Sequence, residues 1–132
     1  MGKPVTIIGA GPIGLMHLML SKEVGATQII VGDVSEPRIK MAEKMGADFV
    51  IDANAENPVA KVMKLTGGIG ADIVITAVGV PSVIEQAIRM VRRGGMVNIF
   101  GGCPVGSTVT IDPNVIHYNE LTLTGSFSTT HL

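Results

Sequence analysis

The sequence of 132 residues predicts a doubly wound α/β fold: six parallel strands in the order 3-2-1-4-5-6, with helices on both faces. Three observations predict it. Short apolar, partly β-branched runs recur at fairly even intervals, and most read as near-continuous rather than alternating, as strands covered on both faces do. Helical patterns lie between them, opened by proline and closed by glycine. The alternation of strand and helix, joined by right-handed crossovers, then gives a parallel sheet that winds outward in two halves from its first and fourth strands.

The first strand covers residues 5–8 and breaks into Gly9-Ala-Gly11-Pro-Ile-Gly14. A helix follows from Pro12 to about residue 24, and its Ile13, Leu15, Met16, Leu18, Met19 and Leu20 are almost too apolar for one wet side, which predicts burial on two sides. The second strand, 29–31, ends in Gly32-Asp33. Ser35-Glu36-Pro37 is a cap candidate for a second helix that carries Ile39, Met41, Ala42 and Met45 and stops at Gly46. The third strand is 49–51. Asn57-Pro58 opens a shorter third helix, ended by Gly67-Gly68. After the fourth strand, 73–75, Pro81-Ser82 opens a fourth helix that is expected to run to Gly94-Gly95, ahead of a fifth strand at 97–100. The rhythm then changes to a loop, a short extended piece at 107–112, a helical turn from Pro113 and a sixth strand at 121–124.

The glycine triplet carries the functional signal. Gly9 permits a tight turn out of the strand, Gly11 lets the backbone approach a pyrophosphate, and Gly14 lets the helix pack closely on the sheet. Pro12 suits a first helical turn, and the positive end of that helix faces the phosphates. A glycine triplet alone is a weak signal. This one lies between a strand and a helix, and Asp33 follows at the end of the second strand, which is the context that dinucleotide binding requires. Ligand contacts are expected at the carboxyl ends of the strands around the switch point: the Gly9 turn, Asp33, Ala77-Val78-Gly79 and Phe100-Gly101-Gly102.

Composition bounds the alternatives. The length fits one domain and is too short for a cofactor domain plus a substrate domain. A net charge of −1 with mixed signs argues against nucleic acid as a partner. Charges interrupt every long apolar run, so no membrane span or signal peptide is predicted, and the cytoplasm is the expected compartment. Cys103 is the only cysteine, so no disulfide can form within the chain, and with His17, His117 and His131 it makes no metal-ligand spacing. Packing is the expected role of Cys103. A helix-face or interdomain position is expected for His17, and surface positions for the other two histidines. The eight methionines read as gap fillers of an aliphatic core.

Gly9-Ala-Gly-Pro-Ile-Gly14, Asp33-x-x-x-x-Arg38, Ala42-x-x-x-Gly46-Ala47-Asp48, Gly70-Ala-Asp72 and Gly94-Gly-x-Val97 followed by Gly101 together resemble the Rossmann-type coenzyme domain of the zinc-type medium-chain alcohol dehydrogenases, in their sorbitol, polyol and threonine dehydrogenase branch. The resemblance runs over nearly the whole chain. It implies NAD binding and hydride transfer with a secondary alcohol or polyol. Carried over position by position, it implies Gly9, Gly11, Pro12, Ile13 and Gly14 at the pyrophosphate and Asp33 at the adenosine ribose hydroxyls, with Arg38 assisting. Ala77, Val78 and Gly79 would flank the adenosine side, and backbone at Phe100, Ser126 and Ser128 would hold the nicotinamide carboxamide.

That family carries its catalytic zinc and most of its substrate pocket in a separate domain, which nothing in this chain matches. The leading expectation is therefore a dinucleotide-binding domain over residues 1–132 that binds NAD without catalysis on its own, the zinc/substrate domain being absent from this chain. A stand-alone nucleotide-sensing module that regulates a partner is the alternative from another class. A zinc-free NADP-dependent quinone-type reductase is weakened by Asp33, whose carboxylate repels a 2′-phosphate. Residues 109–112 and 121–124 are extended and nearly uncharged, and the sixth strand is expected at the sheet edge. The resemblance adds that subunits of the family pair there, so a homodimer is expected through this edge.

Overall fold

In the computed structural model of the protein, residues 3–127 are described. β1 (Pro4–Ile8) leads through the glycine turn into α1 (Pro12–Glu23), followed by β2 (Gln28–Asp33), α2 (Glu36–Lys44), β3 (Phe49–Asp52), α3 (Pro58–Leu65), β4 (Ala71–Thr76), α4 (Pro81–Met90), β5 (Val91–Ile99), α5 (Pro113–Asn119) and β6 (Thr122–Gly125). The six strands form one parallel sheet in the order β3-β2-β1-β4-β5-β6, as the strand–helix alternation predicts.

The continuous apolar runs serve both faces at once, because successive side chains in a strand point to opposite sides. In β1, Ile7 packs with Leu18 of α1, Val31 and Ala42 of α2 on one face, whereas Ile8 packs with Ile30, Ile51, Val62 of α3 and Ala87 of α4 on the other. Neither face of β1 is wet, so a charge anywhere along it would lose its hydration. Each helix begins with proline in its first turn, where the missing N–H has no intrahelical partner to lose. Asn57 and Asp112 cap α3 and α5, accepting from the N–H of Ala60 at 3.1 Å and of Asn114 at 2.9 Å.

The structure departs from two expectations. α4 ends at Met90 rather than at the glycine pair, and β5 starts at once with Val91. Gly94-Gly95 instead sits in an irregularity of the ladder: Ala71 pairs with Val91 and Ile73 with Met96, so β5 spends extra residues where β4 spends two. α1 is not buried on two sides. Only Gly14, Leu18 and Ser21 are buried, while Met16, Met19 and Leu20 are 63%, 56% and 61% exposed. The 107–112 piece does not join the sheet. It runs as a strap whose Thr110 N–H donates to Glu85 Oε2 of α4 at 2.7 Å and whose Ile111 packs on the core.

Candidate cofactor-binding site

The chain winds outward from β1 through β2 to β3 on one side and from β4 through β5 to β6 on the other, leaving a crevice beyond the carboxyl ends of β1 and β4. The turn after β1 enters it. Gly9 has φ +112°, a conformation that other L-residues rarely adopt, and its N–H donates to the Gly32 carbonyl at 2.8 Å. A Cβ on Gly14 would overlap the Gly9 carbonyl oxygen, so close packing of α1 on β1 demands glycine there. Over Gly11 the nearest other atom to such a Cβ is the Arg38 guanidinium, at 3.8 Å, and the approach is otherwise open.

The first turn of α1 carries no side-chain cap and no acidic residue. α3 and α5 fill this position with Asn57 and Asp112, and α2 places Glu36 in its first turn. The N–H groups and positive dipole end of α1 are thus free for an anion, where glycine also gives it room.

Asp33 closes β2. Its Oδ2 accepts from the Ala10 N–H at 2.7 Å, which ties it to the glycine turn, and its Oδ1 accepts from the N–H groups of Val34 and Ser35 at 2.7 and 2.9 Å. Three backbone donors fix the carboxylate, and Oδ2 keeps capacity for another. It borders a cleft of about 300 Å³ whose other walls include Ile8, Val34, Ala53, Val78, Val80 and Val83, an apolar slot beside one charged group.

A second cleft, of about 630 Å³, lies beyond the ends of β4, β5 and β6 and is lined by Ile13, Ala77, Phe100, Gly101, Gly102 and Ser126, among others. Its backbone donors are largely used. Phe100 and Gly101 both donate to the Thr76 carbonyl, at 3.0 and 2.8 Å, and Ser126 donates to the Ile99 carbonyl at 3.1 Å. The carbonyl oxygens of Phe100 and Ser126 accept no backbone hydrogen bond from the described residues.

The structure therefore separates the strand-end residues that the sequence grouped. Val78 walls the slot beside Asp33, Ala77 walls the larger cleft, and Gly79 lines neither. A Cβ on Gly79 would overlap the Gly102 carbonyl, so Gly79 lets the loops after β4 and β5 pack backbone on backbone. Arg38 reaches from α2 over Gly11, its guanidinium 3.8 Å from where a Cβ on that glycine would lie. Ser128 and His131 lie outside the described residues. His117 is exposed and Cys103 is half-buried. Among the described residues, no group of three or more His, Cys, Asp or Glu could hold a metal ion, and no helix is long and apolar enough to cross a membrane.

Sequence reasoning left His17 as a helix-face or interdomain residue. It is half-buried on α1, with its ring edge-to-face against Phe100, the centroids 4.5 Å apart and the planes at 81°. Burial lowers its pKa from the ordinary 6.5. The contact joins α1 to the end of β5, and no local pattern in the sequence announces it.

An open helix N-terminus across a glycine turn from a strand-end carboxylate can receive a pyrophosphate on one side and a ribose on the other, which places the chain among dinucleotide-binding domains. Comparison with known proteins narrows that class. The sequence profile of the zinc-binding dehydrogenases matches residues 12–131. L-threonine 3-dehydrogenase of Thermococcus kodakarensis is 39% identical over 125 residues, covering 94% of this chain and 35% of that protein. The structure of benzyl alcohol dehydrogenase from Acinetobacter calcoaceticus superposes with a TM-score of 0.92 at 28% identity, over 96% of this chain and 34% of that one. A Sinorhizobium meliloti zinc-binding dehydrogenase bound to NADP superposes with a TM-score of 0.87 at 34% identity, over 96% and 37%. The chain belongs to the zinc-binding dehydrogenase family and forms its cofactor-binding domain. It spans about a third of the length of these relatives.

Proposed function

We propose that this chain binds NAD as the cofactor half of a zinc-type dehydrogenase that moves hydride between a secondary alcohol or polyol and the nicotinamide ring. The observation that carries the reading is the Asp33 carboxylate, held by Ala10, Val34 and Ser35 beside an apolar slot and next to the open end of α1. Ile8, Val78 and Val80 suit the adenine faces, and Oδ2 of Asp33 accepts a ribose hydroxyl. The first-turn N–H groups of α1 meet the pyrophosphate, and the open approach over Gly11 admits it. The Phe100 and Ser126 carbonyls accept from the carboxamide NH₂, and the carboxamide oxygen takes its donor from elsewhere, Ser128 being the candidate. Ala77, Ile13 and Phe100 line the cleft that takes the ring. When bound, NAD supplies the hydride acceptor, and a zinc-bearing domain outside this chain would polarise the alcohol oxygen. The Asp33 end of the site favours NAD over NADP, since a 2′-phosphate beside the carboxylate brings like charges together. Arg38, over Gly11, offsets part of that repulsion.

Membership in a dehydrogenase family supports this reading over a stand-alone nucleotide sensor. We further propose that two copies pair through the outer edge of β6. Calorimetric titration of the 132-residue chain tests the cofactor assignment: NAD is expected to bind about ten-fold or more tighter than NADP, and Asp33→Ala to narrow the gap. Equal or tighter binding of NADP would overturn it.

A further inference from the structure

We infer that His17 is a positioning residue for the nicotinamide end of the cofactor cleft, acting through Phe100; the inference rests on the cofactor reading above and deepens it. The edge-to-face arrangement of the two rings, 4.5 Å apart at 81°, lets the positive edge of one meet the negative face of the other. The main chain of Phe100 is already fixed by its hydrogen bond to the Thr76 carbonyl at 3.0 Å, so the aromatic ring is the part of the residue that still has a choice of position. His17 makes that choice.

The position of the ring matters because Phe100 and Ile13 line two clefts at once. One is the cleft of about 630 Å³ that takes the nicotinamide, and the other, of about 520 Å³, opens on the outer side of α1. The two residues form the ridge between them, and His17 lines only the outer cleft, behind the ridge. Without the imidazole, the Phe100 ring gains space to swing outward and the nicotinamide loses the wall it packs against. Met16 and Met19, flanking the histidine on the helix, are 63% and 56% exposed and offer no substitute prop. Burial favours the uncharged imidazole, which suits an apolar prop.

The test is titration of the chain and its variants with NADH and with ADP-ribose, which lacks the nicotinamide, alongside thermal unfolding. His17→Ala should weaken NADH binding about five-fold and leave ADP-ribose within about two-fold, and His17→Phe should restore NADH binding. The enhancement of NADH fluorescence on binding should fall in the alanine variant and return with phenylalanine. Should His17→Ala fail to fold, His17→Leu, which keeps bulk without an aromatic ring, must show the same split. Equal weakening of both ligands, or NADH binding that is indifferent to the loss of the ring, overturns the role of His17 and leaves the cofactor reading standing. A wild-type chain that binds neither ligand overturns both.

Discussion

Gly11 and Gly14 share one motif and serve different ends, and the geometry separates them. A methyl on Gly14 meets the Gly9 carbonyl, which is backbone and cannot yield without moving α1 against β1. Gly14→Ala should therefore lower the thermal midpoint by about 5 °C or more. A methyl on Gly11 meets only the tip of Arg38, a flexible side chain at ordinary contact distance, so the fold should keep its midpoint. That methyl would stand where the pyrophosphate approaches, and NAD affinity should fall about ten-fold or more. Thermal unfolding and calorimetry on the two variants check the contrast. A Gly11→Ala variant that binds NAD normally would remove the phosphate from this turn. Spacing was enough to place Asp33 at the end of the second strand. The hydrogen bond from Ala10 that orients its carboxylate was not legible, because it depends on how the turn after β1 folds back over the end of β2.

At the scale of elements, β6 pairs with β5 on one side and, among the described residues, has no strand on the other, as expected for the last strand of this order. Thr122–Gly125 carries no charge, and an edge strand without charges invites pairing with another strand. The strap at 107–112 contributes less than its composition suggests, since the Thr110 N–H is held by Glu85 and Ile111 is part of the core. Thr122 is exposed on the edge strand, so Thr122→Lys tests pairing without disturbing the core. Light scattering should show a concentration-dependent dimer whose dissociation constant rises about ten-fold or more in that variant. A monomer at high concentration, or a dimer that ignores the lysine, would contradict the pairing. The strand order was legible because each β-α unit repeats the same apolar run, proline start and glycine stop. The start of β5 was not, because Gly94-Gly95 reads locally as a helix stop, whereas the ladder with β4 draws Val91 into the sheet ahead of it.

For the whole molecule, the two core layers account for most of the apolar composition, and the outer side of α1 accounts for part of the remainder. Counting apolar residues revealed that α1 has more of them than one buried face can use. It could not show that Met16, Met19 and Leu20 point outward beside the Phe100 ridge, since direction depends on how the helix sits on the sheet. That face adjoins the cleft beyond β4, β5 and β6, with which it shares Ile13 and Phe100, in a chain about a third as long as its relatives. The crevice at the switch point is proposed to hold NAD along its length, adenosine by Asp33 and nicotinamide by Phe100. The most direct measurement is the change in backbone amide NMR shifts when NAD is added to the 132-residue chain. The largest changes are expected to run from Gly9 to Gly14, through Asp33 and Val78, to Phe100 and Gly101, with the Arg89–Arg93 end of the sheet unmoved. Changes confined to that opposite end, or no changes at saturating NAD, would contradict it.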